Sequence, residues 1–497
     1  MKKALSLFMV FILACSLIAC TDNEKANVKI EKRNDLYEIT INNTTYAELA
    51  ELGTYKSKKA DSNIKNVWVY GKNSGEPYNP VLVVETKDSL LATTLVECAT
   101  YYPSVYIGDV NGDADEEIIV NNVRTAMGIG EYKLQVFQAK DELVSIYAFP
   151  KTDYIYNGPD ADIPYDELNF GFTGELLDNY QLLIKFPSLN YQRTITLESN
   201  KTDSSFFDEN GTVKNKNENV LKFSTFSNVE VADVDNDGVC EIIGSQNVSY
   251  GVIKSIGSVN VVLKYQQTEK TFKPVQVEFV AENELKKYEY AESNGAIEII
   301  SHEYNDTETP ITIPNYINCK PVTIIRPNAF YQHKRTSAIT LPDSITAIVG
   351  SPFYRCYSIT EFLIPSKVDL IDGNPFFRCP SLTKIEVDSK NTYFSSQDGV
   401  LFNYDKTTLV AYPEGKTDKT YTIPKSVTKI CGDAFGYYPL FKELVIYANV
   451  TEFPTHEMFI FPDNILLHVE KDSKAEEYAI AKSLNYKLIN DSNTPSA

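Results

Sequence analysis

The apolar positions of the C-terminal part of the chain repeat at a fixed interval. Ile325, Ile348 and Ile371 are separated by 348 − 325 = 23 and 371 − 348 = 23 residues. Other residues recur at the same step, namely Phe330, Phe353 and Phe376, and the pairs Arg355–Cys356 and Arg378–Cys379. A period of about 20–29 residues is typical of a leucine-rich solenoid, whose coils stack like residue on like residue. The pattern predicts a solenoid over residues 286–490, with the phenylalanines buried in a stack.

The segment 36–285 has a different pattern, with short apolar runs rich in β-branched and aromatic residues. These runs are broken by Asn, Asp, Gly and Pro, which favours strands joined by turns. The strands expected most clearly are 67–70, 81–84, 133–137, 181–186 and 259–265. We therefore expect a mainly β protein, in which a β-rich domain of small β-propeller-like form precedes the solenoid.

The repeats also match a family in their residues. The stretches AITLPDSI (338–345), PFFRCPSLTKI (375–385) and YTIPKSVTKI (421–430), the last followed by Asp433-Ala434-Phe435, resemble the BspA-like leucine-rich repeats of bacterial surface proteins. The resemblance implies extracellular display and binding of partners rather than a reaction. Architecture alone does not name a partner.

Two features interrupt or end the repeat. Pro365 and Pro424 occupy like positions but lie 424 − 365 = 59 residues apart, so the period breaks at 388–419. The inserted segment 399–413 alternates around a polar turn and predicts a β-hairpin. Near the end, Ser473 and Glu476 form a capping-box pattern before a helix at 477–484, which would close the last apolar edge. Residues 491–497 are a tail.

The strand phase of the repeats defines a candidate binding face. If the apolar residues at alternate positions point inward, the residues between them point outward. The outward set predicted in this way is Thr312, Thr340, Leu363, Glu386, Thr422 and Val445. This ladder carries little charge, which is compatible with a surface that binds a protein or a glycan. An ordinary sheet face without a ligand fits the same pattern.

The N-terminus has the pattern of an export signal. Lys2 and Lys3 precede an apolar run from Ala4 to Ala19, which is short for a membrane span. The sequence LIAC at 17–20 resembles the lipobox of bacterial lipoproteins, which implies cleavage after residue 19 and acylation of Cys20. The resemblance also implies that residues 20–35 form the lipidated cysteine and its tether, so we expect display on the outer face of the cell membrane. An ordinary secretion signal and an uncleaved anchor are the alternatives.

Two acidic segments lie between strand-like runs in the β-rich domain. Each places carboxylate or amide side chains at positions 1, 3 and 5, a backbone carbonyl at position 7 and a glutamate at position 9. Loop 1 contains Asp109, Asn111, Asp113, Asp115 and Glu117, and loop 2 contains Asp233, Asp235, Asp237, Val239 and Glu241. Alternate residues of a tight loop can direct hard oxygen ligands toward one Ca²⁺ ion.

The two loops resemble the calcium loops of FG-GAP and VCBS repeats, found in extracellular β-propellers. Loop 2 has three aspartates and Gly238 at the turn, so it is the closer match and the expected stronger site. Loop 1 departs from the pattern at Asn111 and Ala114. The alternative interpretation is a pair of acidic hairpins that bind no metal.

Charge and cysteine content narrow the function. With 47 Lys and Arg against 67 Asp and Glu, the net charge is −20, which argues against nucleic acid as a partner. The cysteines are widely spaced and include no CxxC, so no zinc site is indicated. Cys356 and Cys379 occupy like positions in the repeat and are expected to be small buried residues, with a disulfide between them as the alternative.

The sequence gives little support for catalysis. The N-terminal domain contains no histidine, and the four histidines of the repeat region are scattered along it. No phosphate-binding glycine loop or HExxH motif is present. We therefore expect a non-catalytic surface lipoprotein that mediates adhesion or interaction through the solenoid. The alternative is a carbohydrate-active or glycan-capturing lipoprotein, for which the 33 tyrosines could supply stacking surfaces.

Overall fold

The protein is mainly β, as expected. The computed structural model describes residues 28–33, 36–41, 43–71, 80–95, 103–126, 129–149, 170–197, 206–214, 221–235, 237–250, 254–304, 310–437, 439–454 and 465–489. Strands account for 52% of residues and helices for 4%. The C-terminal part is a β-solenoid of about eight turns.

The described residues of the N-terminal part form four antiparallel sheets, in which neighbouring strands follow one another in sequence. Sheet 1 contains β1 (Val28–Arg33), β2 (Leu36–Ile41), β3 (Thr44–Tyr55), β4 (Ile64–Gly71), β5 (Val81–Thr86) and β6 (Leu90–Thr94). Sheet 2 contains β7 (Ser104–Gly108), β8 (Glu117–Ala126), β9 (Ile129–Ala139) and β10 (Leu143–Phe149). Sheet 3 contains β11 (Thr173–Leu177), β12 (Gln181–Phe186) and β13 (Tyr191–Thr196). Sheet 4 contains β14 (Leu221–Ala232), β15 (Glu241–Tyr250), β16 (Lys254–Gln266) and β17 (Thr271–Ala281).

These sheets share hydrophobic cores, one between sheets 1 and 2 and one among sheets 2, 3 and 4. Along β8, Ile118 and Val120 pack toward sheet 1, whereas Ile119 packs toward sheets 3 and 4. All three side chains are buried, because both faces of sheet 2 are covered. Sheet 4 is covered in the same way, with Ile242 facing sheet 2 and Ile243 facing the first coil of the solenoid. Sheets 2 and 4 have the four strands of a propeller blade, whereas sheets 1 and 3 have six and three, so the propeller-like form stays a prediction.

The solenoid begins with an antiparallel hairpin and continues as parallel ladders. The first ladder contains β18 (Tyr288–Ser293), β19 (Ala296–His302), β22 (Lys320–Ile325), β24 (Ala347–Val349) and β26 (Leu370–Asp372), with β21 (Tyr316–Ile317) paired to β22. Two short sheets contain β20 (Ile311–Thr312) with β23 (Ile339–Thr340), and β25 (Glu361–Ile364) with β27 (Lys384–Val387). The insertion contains β28 (Phe394–Gln397), β29 (Val400–Asn403) and β30 (Thr408–Ala411), the last paired to β32 (Lys429–Ile430). The final sheet contains β31 (Thr420–Thr422), β33 (Glu443–Ile446), β34 (Leu466–Val469) and β35 (Tyr486–Leu488).

The predicted phenylalanine stack is confirmed. Phe330, Phe353 and Phe376 are at most 2% exposed. The ring centroids of Phe330 and Phe353 are 5.7 Å apart and those of Phe353 and Phe376 are 5.5 Å apart. Each ring therefore fills the same place in its coil, and the 23-residue period is the period of the core.

Cys356 and Cys379 are buried free thiols. The Cys356 thiol donates to the Phe330 carbonyl at 3.2 Å, and the Cys379 thiol donates to the Phe353 carbonyl at 3.1 Å. The disulfide considered from sequence is not formed in this structure, because each thiol is used to join its coil to the preceding one.

The helices and the hairpin follow the local sequence signals. Helix α1 (Glu282–Leu285) lies between sheet 4 and the solenoid, a 3₁₀ turn covers Pro187–Leu189, and α2 (Lys474–Ala481) ends the solenoid. The Ser473 hydroxyl accepts from the Glu476 amide, which is the predicted cap. Strands β29 and β30 form the predicted hairpin. Within the described residues, no helix is long and apolar enough to cross a membrane.

A packed interface joins the β-rich part to the solenoid. Tyr316 and Cys319 of the first coil cluster with Ile243 and Val262 of sheet 4. The Cys319 thiol donates to the carbonyl of Asn228, on β14, at 3.2 Å. The two regions therefore share buried apolar surface and hydrogen bonds. A flexible linker alone would provide neither.

Candidate calcium loops and solenoid face

The two acidic loops occupy equivalent places in sheets 2 and 4. Loop 1 joins β7 to β8, and loop 2 joins β14 to β15. Each is therefore the first connection of a four-stranded meander. The strand–loop–strand setting expected from sequence is present in both.

The two loops also share one hydrogen-bond pattern. The first aspartate of each loop accepts from the amide at position 6, since Asp109 accepts from Ala114 at 2.9 Å and Asp233 from Gly238 at 3.0 Å. Position 6 has positive φ in both, +73° at Ala114 and +90° at Gly238. This left-handed conformation explains the glycine of loop 2, because alanine tolerates it less well.

The final glutamate closes each loop in the same way. Glu117 accepts from the amide of Val110 at 3.1 Å, and Glu241 accepts from the amide of Val234 at 2.8 Å. Glu117 and Glu241 are 0% and 1% exposed. The backbone thus uses one oxygen of each glutamate and leaves the other directed into the loop.

A lysine side chain fills the centre of loop 2. Lys264, on β16, lies directly across from Glu241, one step beyond the paired residues Ile242 and Leu263. Its Nζ atom is 2.7 Å from Asp235 Oδ2, 2.6 Å from Asp237 Oδ2 and 2.9 Å from Glu241 Oε1. Burial alone would lower the pKa of Lys264, but hydrogen bonds to these carboxylates outweigh burial and raise it. Lys264 is therefore a cation at physiological pH.

Amide groups fill the corresponding place in loop 1. Gln138, on β9, pairs with Glu117 and donates to Asp113 Oδ2 at 2.8 Å. Asn111 donates from Nδ2 to Glu117 Oε1 at 2.6 Å. Among the described residues, the lysine that contacts loop 1 is Lys59. It donates to the Ala114 carbonyl, outside the centre of the loop. In the described part of the chain, loop 1 is therefore lined by neutral dipoles and holds no internal cation.

This difference changes the electrostatics of the buried glutamates. Burial raises the pKa of Glu117 to about 8, and the neighbouring charges of Asp113 and Asp109 contribute to the rise, against backbone hydrogen bonds that lower it. Burial also raises the pKa of Glu241, but hydrogen bonding to Lys264 opposes that shift. A positive charge beside Glu117 would favour its ionised form.

The loops contact each other, and loop 2 also contacts the solenoid. The Cys240 amide donates to the Asp109 carbonyl at 2.7 Å, and the Gln267 side chain donates to the Asn111 carbonyl. Lys367 of the solenoid donates to the Val234 carbonyl at 2.6 Å. Both loops thus form one junction between sheets 2 and 4, and loop 2 lies beside the first coils.

Loop 2 has the closer arrangement of carboxylates but the poorer fit to calcium. One oxygen each of Asp233, Asp235 and Asp237 lies within 4.8 Å of the others, a convergence that the described residues show in loop 2 and not in loop 1. The ammonium group of Lys264 nevertheless contacts two of the three. A divalent cation in the same space would meet that like charge, so the residues of loop 2 do not fit the ion while Lys264 remains there.

Loop 1 fits a calcium ion better. Its side chains offer carboxylates from Asp109, Asp113 and Glu117 and the amide of Asn111. The Gln138 amide carries both an oxygen and a nitrogen, and a half-turn presents the oxygen instead. Hard oxygen donors of this kind are those that calcium prefers. Gln138 and Lys264 are the residues that sequence reasoning missed, because each lies two strands away from the start of its loop.

The solenoid face agrees with the predicted ladder over its first coils. Thr312, Thr340 and Glu386 are exposed, and Leu363 is 54% exposed. Thr312 pairs with Thr340, and Leu363 pairs with Glu386, on adjacent parallel strands. The two pairs belong to separate sheets whose strands β23 and β25 are neighbours, and we call these four exposed residues the strip below.

The prediction is wrong at Val445, and Thr422 is only partly exposed. Val445 is 0% exposed. It lies on β33 between Thr422 and His468, and in this strand the residues 444–446 are all buried. The last sheet is covered on both faces, so alternation no longer separates an inner face from an outer face.

A polar groove lies at the end of the strip. It has a volume of about 470 Å³ and is lined by Glu361, Thr383, Lys384, Ile385, Glu386, Ser396, Asp398, Gly399 and Lys416. The hairpin β28–β29 forms one wall, since the amide of Ile385 donates to the Gly399 carbonyl at 2.9 Å. The break in the repeat beside Glu386 is the sequence signal that could have located it.

Two of the four histidines, described from sequence as scattered, meet in the fold. His302 Nδ1 and His333 Nε2 are 2.9 Å apart, and both rings are buried. They pack on Phe330 at the start of the phenylalanine stack. The two histidines lie at the end of a hydrophobic core, and the aromatic rings around them indicate a structural role.

Comparisons with known families divide the chain in the same way as the fold. Residues 303–417 match the BspA type leucine-rich repeat region, with six copies. Residues 170–280 match the YybI C-terminal domain, which covers sheets 3 and 4 and loop 2. Proteins with BspA-type repeats are typically surface-associated. No curated protein matches the sequence.

Three solved structures illustrate the likeness to leucine-rich repeat proteins. The pneumococcal vaccine antigen PcpA is 14% identical, with 41% of this chain and 96% of that chain covered and a TM-score of 0.21. A leucine-rich cell surface protein from Faecalibacterium prausnitzii is 16% identical, with 41% and 94% covered and a TM-score of 0.22. The leucine-rich repeat protein of T. pallidum is 15% identical, with 41% and 96% covered and a TM-score of 0.27.

Proposed function

We propose that this protein is a non-catalytic cell-surface lipoprotein that binds a protein or glycan partner through its solenoid. The observation that carries the proposal is the strip of Thr312, Thr340, Leu363 and Glu386 leading into the polar groove. An apolar centre with a polar surround is the usual composition of a binding surface. Leu363 supplies that centre, at 54% exposed.

The anchor is proposed from the sequence, since residues 1–27 lie outside the described part of the chain. The LIAC pattern would place two or more acyl chains on Cys20, and more than one chain is needed for firm attachment. The tether would then present both domains outside the membrane. We expect Cys20→Ser to remove palmitate labelling and membrane attachment, and labelling that persists in this variant would contradict the anchor.

Calcium is proposed for loop 1, where it would stabilise the junction between sheets 2 and 4. The ligands would come from Asp109, Asn111, Asp113 and Glu117, with the backbone carbonyl of Asp115. Loop 2 would need no metal, because Lys264 supplies its positive charge. This reverses the order expected from sequence, in which loop 2 is the stronger site. The ion's role would be structural, by neutralising carboxylates that otherwise repel each other.

The binding proposal is tested with two matched leucines of one coil. Leu363 lies on the strip, whereas Leu370, which is 50% exposed, lies on β26 in the other ladder. Full-length protein in detergent is used to capture partners from glycoprotein and glycan arrays. Leu363→Asp should abolish capture of the bound species and Leu370→Asp should leave it unchanged. Equal capture by both variants would contradict the strip as the binding face.

The carbohydrate-active alternative has a weaker basis. The groove contains the carboxylates of Glu361, Glu386 and Asp398, but none of its lining residues is aromatic. Lys384 forms an ion pair with Glu386 at 2.5 Å, which occupies one of these acids. The groove thus lacks the stacking surface that would hold a sugar ring above a catalytic pair.

A further inference from the structure

A second aromatic column runs along the turns of the solenoid, outside the buried phenylalanine stack. Three of its rings, Tyr331, Tyr354 and Phe377, directly follow a buried phenylalanine, and the fourth, Tyr437, lies two residues after Phe435. Tyr331 and Tyr354 have centroids 5.4 Å apart, and Tyr354 and Phe377 have centroids 5.7 Å apart. Tyr437 meets Phe377 edge-on at 6.1 Å. Unlike the phenylalanine stack, this column reaches the surface, where Tyr331 is 41% exposed.

Two arginines are packed against these rings. The Arg355 guanidinium lies 5.1 Å from the centroid of Tyr354, and the Arg378 guanidinium lies 4.0 Å from that of Tyr437. Both residues have positive φ, +63° and +61°. A left-handed conformation is unfavourable for arginine by about 1 kcal/mol. Gln332, at the like position of the preceding coil, also has positive φ at +60°, so this turn carries a long polar side chain in three successive coils.

These two arginines contact tyrosines but form no ion pair among the described residues, and Arg355 Nη1 donates to the Tyr331 hydroxyl at 3.4 Å. Arg193 pairs with Glu284 and Arg326 pairs with Glu298, whereas no described carboxylate lies within ion-pair distance of Arg355 or Arg378. Glu414 lies behind Arg378, but its Oε1 accepts from the backbone amides of Arg378 and Tyr437 at 2.9 and 2.7 Å. Burial raises the pKa of Glu414 and the charge of Arg378 opposes that rise, so Arg378 is partly balanced, whereas Arg355 has no described carboxylate within ion-pair distance.

We infer that this surface, the aromatic–arginine ridge, binds an anionic glycan bearing carboxylates. It comprises Tyr331, Tyr354, Arg355, Phe377, Arg378 and Tyr437. A guanidinium group binds a carboxylate through two parallel hydrogen bonds, and stacking on a ring holds its plane in place for that contact. The tyrosine hydroxyls add donors and acceptors for sugar hydroxyls.

The spacing of the ridge favours a glycan over an acidic peptide. An extended peptide places side chains of one face about 6.6–6.8 Å apart, which does not match the ring spacing of the ridge. A glycan also carries hydroxyl groups on its units, which the hydroxyls of Tyr331, Tyr354 and Tyr437 can meet as donors or acceptors. The net negative charge of the protein opposes any long polyanion, but beyond about 8 Å that repulsion is screened at physiological salt. Binding therefore depends on the local positive ridge.

The test measures binding of oligogalacturonate, a carboxylated glycan, to the full-length protein in detergent. The double variant Arg355→Gly/Arg378→Gly removes both charges and suits the positive φ, so the fold should be kept. We expect it to lose affinity by about tenfold or more. Arg355→Lys/Arg378→Lys should also lose several-fold, because lysine keeps the charge without the planar fork.

Three controls make the outcome decisive. Arg326→Ala removes one positive charge from a paired arginine of the same solenoid and should change affinity less than about twofold. Neutral dextran and poly-glutamate should bind at least tenfold more weakly than oligogalacturonate. Leu363→Asp, on the separate strip, should leave oligogalacturonate binding unchanged, so that failure of the strip and failure of the ridge are distinguishable. No binding to wild type, equal binding to the double glycine variant, or preference for poly-glutamate would overturn the inference.

Discussion

Loops 1 and 2 have the same backbone and differ in what fills their centres. In each loop, the first aspartate accepts a hydrogen bond from the backbone amide of position 6, which has a left-handed conformation. A buried glutamate accepts a hydrogen bond from the amide of the residue that follows this aspartate. The residue across the sheet from that glutamate is Gln138 in loop 1 and Lys264 in loop 2. An acidic loop motif therefore defines a backbone, and we propose that one side chain two strands away decides whether the loop binds a metal.

The position of each loop adds to this contrast. Loop 2 lies beside the solenoid, where Lys367 donates to its Val234 carbonyl, and Lys264 supplies its internal cation. Among the described residues, loop 1 has neither of these contacts at its centre. We interpret loop 2 as a fixed structural joint and loop 1 as a joint whose stability depends on calcium.

The largest effect is expected from Lys264→Ala. The variant leaves the carboxylates of Asp235, Asp237 and Glu241 facing each other without a counter-charge, and Glu241 is buried. We expect the free energy of unfolding to fall by about 2–3 kcal/mol in EDTA, measured by urea denaturation. Added calcium should restore part of this loss, since the freed carboxylates can then bind the ion.

Lys273→Ala is the matched control, because Lys273 lies opposite Lys264 on the neighbouring strand β17. Its ion pair with Glu269 is half exposed on both sides, so its removal should cost less than about 1 kcal/mol. If both lysine variants lost the same stability, or if calcium did not affect Lys264→Ala, Lys264 would not be the internal cation of loop 2.

A smaller effect is expected from calcium removal, and Glu117→Gln should abolish it. Extracellular calcium modules have dissociation constants of roughly 10⁻⁴–10⁻³ M, so calcium at about 5 mM should stabilise wild type by about 1–2 kcal/mol. The substituted amide would keep an oxygen acceptor for the Val110 amide but lose the charge. Thermal unfolding with calcium or EDTA should then coincide for this variant, and a calcium-induced shift equal to that of wild type would argue against loop 1.

The smallest effects concern position 6 of each loop. Ala114→Gly should stabilise loop 1 by about 0.5 kcal/mol, because glycine relieves the positive φ at some cost in entropy. Gly238→Ala should destabilise loop 2 by about 1 kcal/mol through backbone strain alone, since the added Cβ would meet open space. Changes of the same sign in both variants, measured by urea denaturation, would show that the two loops are not equivalent.

The sequence predicted the features that depend on local order. The 23-residue interval located Phe353 and Phe376 in one stack, and the strand-like runs at 67–70 and 181–186 lie in β4 and β12. The capping box gave α2, although the helix ends at Ala481 rather than at 484. Each of these signals lies within a few residues or one repeat of the element that it specifies.

The features that the sequence did not predict depend on pairing between distant strands. Lys264 lies 264 − 241 = 23 residues after Glu241, and only the register of β15 with β16 places it inside loop 2. Val445 occupies the position that strand alternation assigns to the outer face. It is nevertheless buried, because the last sheet is covered on both faces. The ridge includes Arg355 and Arg378, and their left-handed backbone conformation is not visible in a list of residue types.

The central claim is that loop 1 binds calcium and loop 2 carries its own cation. Isothermal titration of calcium into the full-length protein in detergent tests it most directly, with Asp113→Asn and Asp235→Asn as matched variants of the two loops. We predict one calcium ion per chain in wild type, no measurable uptake in Asp113→Asn and unchanged uptake in Asp235→Asn. Uptake that survives in Asp113→Asn and disappears in Asp235→Asn would contradict the claim.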